Sequence, residues 1–252
     1  MPSDSPPLPV TSDGLVHLDA SIVPVADVDA ETRAAMRRLL AAHFENVTDA
    51  AFEADLAEKE SVLVLRDAAG DVRGFSTLLR LVVEIEGAPV VAYFSGDTLV
   101  DRGAWGTPAL AQAWSRHVFA RAAADAPTPA YWFLIASGYK TYRFLPTFFR
   151  TFHPTPTEPT PPAVQHLLDT LARARYGDRY EAGVVRLAHA TPLRAGVADI
   201  DARRRGDPFV AFFERANPGH AAGDELACLT RLDPANVTAA GRRMLGLPPQ
   251  AG

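Results

Sequence analysis

Three strand-like runs follow one another without an intervening helix, and this constrains the fold more than any other feature of the chain. They are SVLVLRD (residues 61–67), VRGFSTLLRLVVEIEG (72–87) and VVAYFSGDTLV (90–100). The turn signals AAGD and EGAP separate them, so they read as successive hairpins. Gly96 inside the third run marks a bulge or a close backbone approach. A helix is expected from Pro108 to about Ala124. The wholly apolar AYWFLIAS (130–137), bounded by Pro and Gly, then reads as a central strand.

Upstream, LVHLDASIVPV (15–25) reads as a first strand. DVDAETRAAMRRLLAAHFENV carries Ala35, Leu39, Leu40 and Phe44 at helical spacing, with Asp29 or Thr32 as cap. TDAAFEADLAEKE follows as a second helix capped by Thr48. Downstream, Pro146 breaks YKTYRFLPTFFRTFH into a kinked helix or two short ones. PTPTEPTPP reads as an extended linker. AVQHLLDTLARARYG is an amphipathic helix ending at Gly177. GVVRLA, FVAFFER and ELACLTRL are three strand candidates, and DPANVTAAGRRMLG is a last helix. The fold class is therefore α/β (α+β), a mixed, mostly antiparallel central sheet flanked by helices. The expected organisation is a disordered 1–13, a core over 14–153, a Pro-rich linker over 154–163, and a C-terminal part, 164–252, that completes the sheet or caps it.

Composition narrows the function. The chain has 252 residues, a net charge of −5 and 48% hydrophobic residues. That balance opposes nucleic-acid binding in bulk. The single cysteine, Cys228, excludes an internal disulfide and a cysteine-based zinc site. The seven histidines show no metal spacing, so no metal is expected. No run approaches the roughly 18 apolar residues of a membrane span, and MPSDSPPLPV lacks the pattern of a signal peptide. A cytoplasmic bacterial protein is the plain expectation.

The stretch LVDRGAWGTPAL joins the third run to the Pro108 helix. A helix N-terminus presents unpaired N–H groups and a partial positive charge, which suits phosphate. Gly103 and Gly106 remove side chains where a phosphate would approach. Pro108 fits the first helical turn, and Arg102 offers a charge-assisted contact.

The element order resembles the Gcn5-related N-acetyltransferase family. In that family the fourth strand runs into a Gln/Arg-x-x-Gly-x-Gly/Ala loop that opens a long helix and holds the pyrophosphate of acetyl-coenzyme A. Here the spelling departs from that motif. Placing Gly106 on the first glycine puts Gly103 where Gln or Arg belongs and Pro108 on the second glycine. The resemblance implies an acyltransferase using acetyl- or other acyl-coenzyme A. Leu99, Val100, Arg102, Gly103, Trp105, Gly106 and Thr107 would hold the donor, the backbone of Leu99 and Val100 pairing with its pantetheine arm. The family's Tyr, which often protonates the leaving thiolate, is replaced by Phe148 or Phe149. Tyr142 and Tyr139, one helical turn apart, are the nearest substitutes.

Asp97 is the first candidate for a base or amine anchor, on one strand face with Ser95 and Tyr93. Glu84, beside Glu86, is a candidate for holding a cationic substrate, and Ser137 stands near the family's usual Asn. The implied acceptor is a small-molecule amine. A homodimer and an acyl carrier protein as donor are left open as partners. Two alternatives remain: an acyl-carrier-protein-dependent N-acyl amino acid synthase-like enzyme, and a non-catalytic protein of the same fold that binds a ligand or partner.

Overall fold

The computed structural model describes residues 17–187 and 189–246. The disordered start expected over 1–13 lies outside them, as do Leu15 and Val16 of the first run. Strands β1 (Asp19–Pro24), β2 (Ser61–Arg66), β3 (Val72–Ile85), β4 (Ala88–Val100), β5 (Ala130–Ala136), β6 (Tyr180–Glu181), β7 (Val184–Val185) and β8 (Glu225–Arg231) form one sheet. Its order is β1-β2-β3-β4-β5-β8-β7-β6. The β4–β5 pair is parallel and every other pair is antiparallel.

Helices cover both faces. Strand alternation sends Leu63, Leu65, Leu78, Tyr93, Trp132 and Leu134 to one side, against α3 (Ala109–Ala124), α4 (Tyr139–Tyr142), α5 (Phe144–Phe148) and α8 (Pro208–Ala216). The other side is shared. Val62, Val64 and Phe75 pack on α1 (Ala30–His43) and α2 (Asp49–Ala57). Phe94, Phe133 and Ala227 pack on α6 (Pro162–Tyr176). Asp29 caps α1 by accepting from Thr32 N–H at 2.7 Å, and Thr48 caps α2 through Ala51 N–H.

Three sequence expectations change. FVAFFER is helical, because the Asp207 side chain accepts from Phe209 and Val210 N–H and buries Val210 and Phe213 three residues apart. Residues 180–185 form a two-residue hairpin about Ala182 and Gly183 rather than one strand. The Pro-rich segment is exposed over 157–159 and 161–163, as a surface linker would be, but its start is held against the sheet. His153 bridges Leu229 just before it, and Thr155 within it is buried. Two short helices, α7 (Ala202–Arg205) and α9 (Ala239–Leu245), complete the described chain.

A polar clasp fixes α3 on the sheet. Asp125 at its C-terminus accepts from Arg80 of β3 at 2.7 and 3.2 Å and from the Tyr93 hydroxyl of β4. The Arg80 hydrogen bond outweighs the cost of burial and holds the Asp125 carboxyl below its ordinary value. A lowered folded-state pKa gives stability that is present above the usual carboxylate range and lost on acidification. Asp125→Ala should therefore cost about 2 kcal/mol at pH 7, and the deficit should shrink below pH about 4. Urea denaturation of both proteins at the two pH values checks this.

Candidate active site

The parallel β4–β5 ladder runs only from Val91↔Ala130 to Ser95↔Leu134. Beyond it β4 continues to Val100 on β3, and β5 continues to Ala136 on β8. The sheet therefore opens between two strands that diverge.

A bulge coincides with the split. Ser76 pairs with Thr98 and Leu78 with Ser95, so Gly96 and Asp97 together oppose Thr77. A Cβ on Gly96 would lie 2.5 Å from Thr77 Oγ1 and 2.8 Å from Lys59 Cε, which explains the glycine. The extra residue shifts the alternation. Tyr93 and Ser95 face α3, where Ser95 Oγ accepts from Trp132 Nε1 at 2.9 Å. Asp97 instead faces the charged side chains of α2. The shared face expected for Asp97, Ser95 and Tyr93 is thus corrected by the bulge, and Ser95 is occupied elsewhere.

A polar network surrounds Asp97. The Lys59 side chain has 0% exposure and its ammonium donates to Asp55 Oδ2 at 2.6 Å and to Asp55 O at 2.9 Å. Arg175 of α6 pairs with Asp55 at 3.4 Å and with Glu58. Across the opening, Glu225 at the start of β8 is 8% exposed. Its Oε1 accepts from Ser137 Oγ, while its Oε2 is buried without a partner. Thr77 Oγ1 and Arg175 Nε are likewise buried and unpartnered. Such atoms are costly unless something polar meets them.

The charge balance shifts both free carboxyls. Burial first, and then the Asp55 charge, push Asp97 upward against the pull of Lys59. Burial pushes Glu225 up to about 7, Ser137 opposing and Asp97 adding to it. Tyr176, which ends α6 beside Phe94, is held protonated chiefly by burial.

The second half of the site is the loop before α3. Asp101 Oδ1 accepts from Gly103 N–H at 2.9 Å, and Ala104, Trp105 and Thr107 N–H bond back within the loop. Gly106 has φ 94°, which favours glycine, and a Cβ there would meet open space. Thr107 Oγ1 accepts from Ala109 N–H. Gln112 makes the first full helical bond, to Pro108 O, so the amides of Leu110 and Ala111 precede the ladder.

Cations gather at this loop. Trp105 is 44% exposed, with Arg102 5.5 Å and Lys140 4.2 Å from its ring. Burial, then repulsion from Arg204 and Arg102, lowers the Lys140 pKa. His43 Nε2 is buried and unpartnered, with its ring 6.2 Å from Trp105. Residues 192–196 lie across the end of α1 and beside Arg102 as a strap. Glu45 N–H bonds Pro192 O, Arg194 N–H bonds His43 O, and Gly196 lies beside Arg102.

Other expected residues lie elsewhere. Asp101 N–H bonds Arg73 O, so Gly74↔Val100 is a non-hydrogen-bonded pair. Val100 therefore turns its backbone to the opening, where Trp105 Nε1 donates to its carbonyl at 3.0 Å, and Leu99 turns its backbone to β3. Tyr142 is fully buried on the α3 side among Phe152, Phe212 and Phe213, and its hydroxyl donates to Pro154 O. It is a core residue rather than a proton donor at the opening. Tyr139 is buried beneath the Arg204 guanidinium, beside the loop cations. Glu84 opposes Pro89, eight residues before Asp97 on β4 and so roughly 25 Å from it. It belongs to the hairpin end, not to the site. Glu225, Asp55, Lys59, Arg175 and Tyr176 were missed. The only available signal was a Glu opening an apolar run.

Clefts of about 570 Å³, at Thr155, Phe212 and Arg215, and about 510 Å³, at Phe119, Pro129 and Leu245, contain no residue of the opening.

Neither a family model nor a curated protein matches the chain. Solved structures do. A GNAT-family N-acetyltransferase (YhbS) from Escherichia coli, solved with coenzyme A, matches at TM-score 0.37 and 20% identity, over 52% of this chain and 69% of that one. An acyl-CoA N-acyltransferase from Pseudomonas aeruginosa matches at 0.34 and 20%, over 46% and 79%. A probable N-acyltransferase from Enterococcus faecalis matches at 0.39 and 13%, over 53% of this chain and only 33% of its own length. The order of elements through α3 and β5, and the loop before α3, are those expected from the sequence. The chain has a mixed α/β fold with helices on both faces of one central sheet. Its sheet is mostly antiparallel, and no described helix is long and apolar enough to cross a membrane.

A raised folded-state carboxyl pKa gives stability that is complete at low pH and lost as pH rises through the folded value, here about 7 for Glu225. Glu225→Gln mimics the protonated form. It should be close to wild type at pH 5 and about 2 kcal/mol more stable at pH 9, read by denaturant titration at both pH values.

Proposed function

We propose that the protein transfers an acyl group from coenzyme A to the amine of a small molecule. The observation that carries this reading is the opened β4–β5 pair, with unladdered amides and cations at one side and two uncompensated carboxyls at the other. A coenzyme A thioester supplies an activated acyl carbonyl. Arg102, Lys140 and the amides of Gly106, Leu110 and Ala111 suit its phosphates, and the outward backbone of Val100 suits its amide-bearing arm. Trp105 offers a flat ring to its base.

An amine arrives as an ammonium ion and must lose a proton before it attacks. Asp97, raised toward neutrality, accepts that proton more readily than an ordinary carboxylate would. The N–C bond forms and the C–S bond breaks. The second amine proton leaves with the thiol. Most of the rate then comes from holding both reactants in one opening.

The strap and the Trp105–Val100 bond favour a second reading, a protein that keeps the fold and binds a ligand without turnover. Turnover with any acyl donor eliminates it. The exposed Arg102, Lys140 and Arg204 also fit an acidic carrier protein as donor, which direct comparison of carrier-bound and free acyl donors distinguishes.

Calorimetric titration with acetyl-, octanoyl- and palmitoyl-coenzyme A should give micromolar binding for at least one. Lys140→Glu should weaken it at least tenfold, about 1.4 kcal/mol. Absence of binding to all three overturns the donor assignment.

A further inference from the structure

Two carboxyls at the opening are more than deprotonation of one amine requires. Asp55 and Glu58 are matched by Lys59 and Arg175, and Arg179 lies on the Glu58 and Tyr176 side, donating to Tyr176 O. Asp97 and Glu225 make no ion pair among the described residues. They stand on opposite banks. Asp97 is in the β4 bulge, and Glu225 is at the β8 position aligned with Ser137, one step past Ala136↔Leu226. Glu225 is the more buried, and one of its oxygens is unpartnered although the other is fixed by Ser137. No group of three carboxylate, His or Cys side chains among the described residues is arranged to hold a metal ion.

We infer that the acceptor is a dication, a diamine or a compound with two amino groups, whose reacting amine meets Asp97 while its second ammonium is held by Glu225 Oε2. The inference rests on the acyltransferase reading. It accounts for the orphaned oxygen, since an ammonium brings the donor that Oε2 lacks. It also accounts for two negative charges held near each other, because a dication neutralises both.

The test compares 1,4-diaminobutane and 1,5-diaminopentane with butylamine and 5-aminopentan-1-ol, following thiol release from the acyl-coenzyme A that binds best. The expected result is a kcat/KM at least tenfold higher for the diamines, and a ratio that collapses toward one in Glu225→Gln. Calorimetric titration of the wild-type protein with the same amines is run alongside, without donor. Equal kcat/KM and equal affinity for mono- and diamines would overturn the inference while leaving acyl transfer standing. Tighter diamine binding without any thiol release would support the dication pocket and remove the acyltransferase reading. Ser137→Ala, which frees Glu225 Oε1, serves as an independent second variant and should lower the diamine preference in the same direction.

Discussion

The end of the β4–β5 ladder at Ser95 and Leu134 is the constraint on which the site depends. A parallel pair buried on both faces would ordinarily zip to its end. Here β4 gains one residue at Gly96–Asp97 and remains with β3, while β5 remains with β8. The bulge increases local twist and turns the strands apart. The split then exposes the backbone of Val100, carries Asp97 to the α2 face, and aims the end of β4 into the loop that starts α3. Gly96 permits this because Thr77 and Lys59 leave no room for a Cβ.

Much of the architecture was legible in the residues. Asp29 and Thr48 are cap residues before periodic runs, and both cap. The runs at 61–67, 72–87, 90–100 and 130–137 are strands close to where alternation and apolarity put them. Local signals of this kind depend on neighbours a few residues away. FVAFFER was harder, because seven residues rich in Phe and Val satisfy a strand pattern. Asp207 decides the matter by binding the first two amides of a helix.

The site was legible only in part, and the reason is geometric. The loop of Arg102–Thr107 is contiguous in sequence, so its charge and its glycines could be read together. The acidic pocket draws Asp55 from α2, Asp97 from β4, Ser137 from beyond β5, Arg175 from α6 and Glu225 from β8. No spacing rule connects these positions. A single inserted residue also reversed the parity by which Asp97 had been grouped with Ser95 and Tyr93. Glu84 failed for a related cause, since a carboxylate at the far end of a long hairpin has the same local spelling as one at an opening. Tyr142 failed because its hydroxyl finds Pro154 O, a partner twelve residues away.

The distribution of charge follows from the same split. Burial, and then repulsion from Arg204 and Arg102, lowers the Lys140 pKa beside Trp105. Burial first, with neighbouring carboxylates adding to it, raises Asp97 and Glu225 around the bulge. Neither cluster is arranged to stabilise the isolated chain. Each is instead complementary to what the other would expel, anions drawn to the loop and cations to the pocket. A protein selected for stability alone would have interleaved the two clusters into ion pairs. Keeping them apart along one opening costs folding energy and retains an electric field across it.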